Sequence, residues 1–289
     1  MTPNQLEPGA TADVGDDRPV AVVTGGARGI GLATGCRLAT AGWRVALIDA
    51  PAGDDLEAVL GYRLAGPADL AAAVTVVAAA ADGAGVGESA AGFAADVRDR
   101  AALGAAVAAV ADRFGRVDAA IAAAGAIAGG ADAWHAEADV WAAMIGVNLT
   151  GVFHLAQAAV PHLLARPEPR SGRFVAVASA ASVDGLPRLA AYTAAKAGVA
   201  GLVRALAAEL GPLGVTANAV APGSTRTAML EASAAVYHLD SVEEFAAHQP
   251  VGRLLEPAEI AAAIAWLCSP EASAVTGAVL PVDGGMTAT

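Results

Sequence analysis

Basic residues are scarce in this 289-residue chain: 17 Lys and Arg stand against 29 Asp and Glu, giving a formal net charge of −12. A nucleic-acid partner needs a basic footprint, so none is expected. Cysteine is rarer still. Cys36 and Cys268 fit no metal or redox spacing, and in a chain read as cytoplasmic both are expected to be reduced core residues. His135, His154, His162, His238 and His248 show no ligand spacing either, so no metal is expected. The first eighteen residues hold neither a basic n-region nor an apolar h-region, which speaks against secretion. Without apolar periodicity, residues 1–18 read as a mobile tail. The uncharged stretches from Asp69 to Asp82 and from Asp118 to Asp132 are alanine- or glycine-rich. Both are too short to cross a bilayer, which takes about 20 residues, so no membrane partner is expected.

What is present alternates. Strand-like runs recur at Val20 to Thr24, Val45 to Ile48, Gly92 to Ala95, Val117 to Ala122, Phe174 to Ala178, Val215 to Val220 and Ala278 to Val282. Helical stretches separate most of them, notably Leu32 to Ala41, Ala101 to Phe114, Trp141 to Leu164, Ala191 to Leu210 and Pro257 to Cys268. Alternation of this kind predicts an α/β, Rossmann-type doubly wound parallel sheet of about seven strands with helices on both faces. With no internal repeat or charge-rich linker, residues 19–289 read as one domain.

Three features carry chemistry. Tyr192 and Lys196 lie one helical turn apart, so the ammonium can stand beside the phenol and draw its pKa down from about 10. Ser179 stands thirteen positions upstream of Tyr192. The run Val20–Thr24 ends in Gly25-Gly26-Ala27-Arg28-Gly29-Ile30-Gly31. There Gly25 permits a tight turn, Gly29 a close approach to a pyrophosphate, and Gly31 close packing of the following helix. Asp49 ends the second strand, eighteen residues past Gly31. An acid there accepts hydrogen bonds from the adenosine ribose and repels a 2′-phosphate, which favours NAD over NADP; Arg28 is the counter-signal. Asp184, five after Ser179, has no histidine matched to it by any motif, so a Ser-His-Asp hydrolase is not the reading.

With these residues in view the chain resembles the short-chain dehydrogenase/reductase family over Pro19 to Met286. The shared pieces are Thr24-Gly25-x-x-x-Gly29-x-Gly31, Asp96-Val97, Asn148, Ser179, Tyr192-x-x-x-Lys196, Pro222-Gly223 and Val282-Asp283-Gly284-Gly285. The resemblance implies Tyr192 as general acid/base, and Lys196 as its pKa modulator and a ribose ligand. It implies Ser179 as the group orienting the substrate oxygen and Asn148 as the holder of a relay water. Cofactor contacts are then expected from Gly25, Arg28, Gly29, Ile30, Gly31, Asp49, Asp96, Val97 and Gly125. Pro222, Gly223, Thr225 and Thr227 would join Tyr192 and Lys196 at the nicotinamide end. One departure is plain: Ala122-Ala123-Ala124-Gly125 replaces the family's Asn-Asn-Ala-Gly, which removes the amides that tie neighbouring strands.

The interval around 52–90 is longer than the family's usual crossover and includes Tyr62-Arg63-Leu64-Ala65-Gly66-Pro67-Ala68-Asp69-Leu70. It looks like the insertion of the mycofactocin-associated, carveol-dehydrogenase-like members. That likeness implies a cover over NAD, which would stay bound and be recycled by mycofactocin; a decorative surface loop is the alternative. Residues 228–250, with Met229, Leu230, Tyr237 and Phe245, match the family's substrate flap. Their apolar character suggests a small apolar or alicyclic alcohol or ketone; a helix pair against a neighbouring subunit is the alternative. Trp134 and Trp141 either line this cleft or fill core. The family further implies a homotetramer. The functional expectation is an NAD-dependent interconversion of a secondary alcohol and a ketone. An NADPH-dependent carbonyl reductase and a non-catalytic dinucleotide sensor or scaffold are the other readings.

Overall fold

Strands rich in Val, Ile, Leu and Ala, apolar on both faces, suit only a sheet covered on both sides. They form β1 (Val20–Thr24), β2 (Arg44–Asp49), β3 (Ala90–Ala94), β4 (Ala119–Ala122), β5 (Gly172–Val177), β6 (Val215–Pro222) and β7 (Val279–Val282). The computed structural model describes residues 17–50, 54–81 and 88–288. The strands make one parallel sheet in the order β3-β2-β1-β4-β5-β6-β7. Between β1 and β4 the winding direction reverses, and at such a switch point the carboxyl ends of the strands open a crevice.

The helices are α1 (Gly29–Thr40), α2 (Asp54–Leu60), α3 (Pro67–Ala81), α4 (Arg100–Phe114), α5 (Ala138–Ile145), α6 (Gly151–Leu164), α7 (Ala190–Leu210), α8 (Ala228–Tyr237) and α9 (Pro257–Cys268). Leu38, Val77 and Ile264, from α1, α3 and α9, fill one face of the sheet. Val107, Leu155 and Val203, from α4, α6 and α7, fill the other. Each such fully buried side chain contributes about 1.5–3 kcal/mol. Local signals set the ends. Asp99 accepts from the N–H groups of Ala101 and Ala102 to start α4, and Gly115 at φ 76° stops it, a left-handed stop that costs glycine little.

Several expected boundaries move. Helix α1 starts at Gly29 instead of Leu32, which puts Gly29, Ile30 and Gly31 in its first turn. Strand β4 starts at Ala119, because the Asp118 carboxylate turns to accept the Val20 N–H at 2.9 Å. The stretch read as one helix from Trp141 to Leu164 is α5, a π-turn at Gly146–Thr150, and α6. Taken together, Ala138–Leu164 is long and apolar enough by composition to cross a membrane, exceeding the stretches weighed from sequence. Half of its most apolar window is buried inside the protein, as in a core helix.

The interval 52–90 contains two helices, α2 and α3; residues 51–53 and 82–87 within or beside it lie outside the described residues, as do tail residues 1–16. Asp17 and Arg18, placed in the tail from sequence, are bonded to the body. Arg116 donates to the Asp17 carbonyl at 3.0 Å, and Arg18 donates to Ser89 Oγ at 2.9 Å.

Candidate active site

The crevice is a cavity of about 1260 Å³ over the carboxyl ends of the strands. Every residue expected to touch a cofactor lines it, from Gly25 through Asp49, Asp96 and Gly125 to Thr227, as do Ser179, Tyr192 and Lys196. Asn148 does not; it lies fully buried behind the wall.

The glycine-rich turn is shaped by backbone crowding. A β-carbon on Gly31 would come within 2.0 Å of the Gly25 carbonyl oxygen, so only glycine fits there. Gly29 has φ +56° and meets nothing closer than 3.4 Å, leaving its outer side open to the cavity. Arg28 sits at the N-cap of α1 and gives no side-chain bond to the first turn. Uncapped N–H groups at a helix N-terminus with its partial positive charge suit an anion such as a diphosphate. At the far end, Asp49 accepts from the N–H groups of Ala27 at 2.8 Å and Ala50 at 2.9 Å. Burial pushes its carboxyl up, opposed by these two bonds. The residues present therefore fit a dinucleotide.

Asp96 is more committed than expected. Its carboxylate accepts from Arg98 Nε at 2.9 Å, Arg98 Nη2 at 2.7 Å and the Arg98 N–H at 2.8 Å. Thr225 Oγ1 donates to the Gly223 carbonyl at 3.0 Å, and Thr227 Oγ1 to the Thr225 carbonyl at 3.2 Å, so these hydroxyls brace the turn after β6. Arg28 donates from Nη1 to the Arg63 carbonyl at 3.1 Å.

At the chemical end, Ser179 follows β5 and Tyr192 begins the second residue pair of α7. Lys196 Nζ lies 5.7 Å from the centroid of the Tyr192 ring and donates to the Val177 carbonyl at 2.7 Å. Burial drives the Lys196 ammonium down to about 8. Burial also pushes the Tyr192 phenol up, partly offset by its hydrogen bond to Ser179. The expected lowering of Tyr192 by Lys196 is therefore not seen in this structure: burial dominates, neighbouring Tyr62 adds to it, and Ser179 is what opposes it. Asn148 sits in the π-turn. It donates from Nδ2 to the carbonyls of Ala126 at 2.9 Å and Met144 at 3.0 Å, and accepts the Ala126 N–H at Oδ1 at 3.2 Å. It thus anchors the loop after β4, where the Ala122–Gly125 departure removes other ties. Bulges of this kind often mark functional positions.

The apolar end of the cavity is walled by Leu186, Leu189, Met229, Leu230, Tyr237 and Phe245. Leu230, Ala234, Phe245 and Leu254 form a small cluster beside the cleft, while Met229, Val236 and Tyr237 of the same segment pack on the main core. Trp134 and Trp141 neither line the cleft nor fill core; they are 77% and 48% exposed. Cys268 is buried, with its thiol pushed up to about 12 by burial, but Cys36 is half-buried and reaches the cavity wall. Sequence reasoning assigned no role to Tyr62 or Arg98. An acid two residues before an arginine was the available signal for Arg98; Tyr62 carried none beyond its place in the insertion.

The family model described as Enoyl-(Acyl carrier protein) reductase matches residues 58–287. Cyclohexanol dehydrogenase of a Rhodococcus species is 40% identical over 278 residues, covering 93% of this chain and 96% of that protein. The (-)-trans-carveol dehydrogenase of Rhodococcus erythropolis is 36% identical over 280 residues, covering 93% of this chain and 97% of the relative. Among solved structures, carveol dehydrogenase from Mycobacterium avium in complex with NAD superposes with a TM-score of 0.86 at 32% identity. That match covers 96% of this chain and 100% of the other.

Proposed function

The chain belongs to the short-chain dehydrogenase/reductase family, and from that premise we propose that it is an NAD-dependent oxidoreductase of small alicyclic secondary alcohols and their ketones. The observation that carries the reading is the convergence of Ser179, Tyr192 and Lys196 on the wall of the cavity that also runs along Gly29 and Asp49. The relatives named for cyclohexanol and carveol support the alicyclic class, as does the apolar wall of Met229, Leu186 and Phe245.

Nicotinamide, when bound, supplies the hydride acceptor and a positive charge. Ser179 Oγ and Tyr192 Oη hold the substrate oxygen between them, and in the oxidative direction Tyr192, as the phenolate, takes the alcohol proton and becomes the phenol. Lys196, buried beside the ring, stabilises the phenolate that this transfer consumes and that ketone reduction regenerates. Asn148 fixes the backbone at Ala126 that shapes the wall opposite. Replacing Tyr192 by Phe is expected to lower kcat by about 10²–10⁴-fold while NAD titrates as in wild type. Near-normal turnover in that variant would remove the acid/base assignment.

Asp49 supports NAD over NADPH, since an acid at the end of the second strand of such a fold accepts from the ribose hydroxyls and repels a 2′-phosphate. Arg28 is already engaged with the Arg63 carbonyl. Asp49→Ser is expected to shift the NADPH-to-NADH affinity ratio upward at least about tenfold, roughly one lost charge repulsion. Equal binding of both cofactors by the wild type would favour the carbonyl-reductase reading instead.

The same reading keeps NAD under the insertion between turnovers, with mycofactocin as the external electron carrier. The cover is supported by Leu56, Tyr62, Leu64 and Ala65 of the insertion, which line the cavity. Mass and absorbance of the protein as purified test it: retained NAD that resists exchange with NADH is expected, and freely exchanging cofactor would remove this part.

A further inference from the structure

Tyr62 lies between α2 and α3, outside the residues assigned a role so far, yet its ring lines the same cavity as Gly29 and Tyr192. Its hydroxyl accepts the Ile127 N–H at 3.0 Å, a bond between residues 65 positions apart that joins the insertion to the loop after β4. Three further bonds fix the segment that carries it. Arg28 Nη1 donates to the Arg63 carbonyl at 3.1 Å, the Leu64 N–H to Glu57 Oε1 at 2.7 Å, and the Gly66 N–H to Asp69 Oδ2 at 2.8 Å. Leu56 and Leu60 of α2 are buried in the main core. The phenol is therefore held on both sides of the crevice, between the glycine-rich turn and the β4 loop.

A phenol has one proton and two lone pairs. Ile127 takes one lone pair, and among the described residues none accepts the proton. A hydroxyl already accepting one bond is polarised into a better donor. Burial pushes its titration upward, so the proton stays on at neutral pH. We propose that Tyr62 is a cofactor ligand, donating its hydroxyl proton to an oxygen of the diphosphate–ribose portion of the dinucleotide while the Ile127 N–H holds the phenol in place. This rests on the NAD reading above and adds to it a direct polar contact from the insertion.

Tyr62→Phe keeps the ring and removes only the hydroxyl. After any copurified nucleotide is removed, NAD and NADH affinities are measured by fluorescence titration of the full chain, dissociation rates by stopped flow, and ADP-ribose and AMP by competition. The variant is expected to bind NAD and ADP-ribose roughly 10- to 100-fold more weakly, mostly through faster dissociation, with AMP little changed. The melting midpoint without nucleotide reports whether the variant is folded, and Tyr62→His, which restores a donor, is expected to recover part of the affinity. Unchanged or tighter NAD binding by a folded Tyr62→Phe overturns the assignment of Tyr62 alone. An equal loss for AMP overturns the diphosphate–ribose placement. Wild-type protein that neither copurifies with NAD nor binds NAD or ADP-ribose overturns the NAD reading and this inference with it.

Discussion

A lysine enclosed by its own helix and the end of a strand gives up part of its hold on a proton, and Lys196 does so, falling from 10.5 to about 8. The sign for stability follows. Between about pH 8 and 10.5 the unfolded chain holds more protons at this site than the folded one, so stability gains as pH rises across that window and loses as pH falls back through 8. Tyr192, raised by burial, works in the other direction, because its contribution is lost as pH rises through the unfolded phenol value near 10. Wild type is therefore expected to gain stability from about pH 8 toward 10 relative to Lys196→Met. Urea unfolding of the two proteins at several pH values checks this, and parallel profiles would contradict it. The pair itself was legible because a four-residue spacing fixes a shared helix face regardless of tertiary context. Its electrostatics were not, since the direction of the phenol's shift is set by burial, with Ser179 and Tyr62 as the neighbours that modify it.

At the level of elements, the site hangs on two backbone approaches, Gly31 against Gly25 and the π-turn against Ala126. Gly31→Ala would force a β-carbon onto the Gly25 carbonyl oxygen, now 2.0 Å from where that atom would sit. The strain is expected to cost about 1–3 kcal/mol, read as a lower urea midpoint, and to weaken NAD binding because the N-terminus of α1 moves with it. An unchanged midpoint would show that the turn yields freely. The glycine spacing announced this turn from sequence, and Pro257–Cys268 was likewise read to its ends. The π-turn was invisible because it is held by Asn148 bonding to Ala126, a residue 22 positions away. The insertion's helices were equally hidden. Ala71 to Ala81 is so uniformly apolar that no face stands out, and α2 is a short helix held by Leu56 and Leu60 in the core.

Across the whole molecule, the parallel sheet could be read from alternation although the order of its strands could not, and the outer surface of its helices shows where assembly would act. The exposed side of α7 carries the small residues Ala194, Ala197, Gly201, Ala205 and Ala208, with the charged Arg204 and Glu209 among them toward its end, so a second helix can approach closely over its first half. Beside it, Phe153 on α6 is 46% exposed and Trp141 on α5 is 48% exposed; large aromatics beside a small-residue strip favour burial against a partner. In the homotetramer that the family resemblance implies, these faces would be covered, with α6 and α7 at one interface. Each chain carries −12, so assembly works against mutual repulsion that salt screens over roughly 8–10 Å at physiological ionic strength. Light scattering is expected to give four times the 28.2 kDa chain mass at physiological salt, with dissociation favoured at low salt. Gly201→Glu adds both bulk and a further negative charge to the strip, and should reduce the mass to that of a dimer or a monomer while leaving the far-ultraviolet circular dichroism unchanged. A wild-type monomer at micromolar concentration, or a Gly201→Glu variant still tetrameric, would place the interface elsewhere.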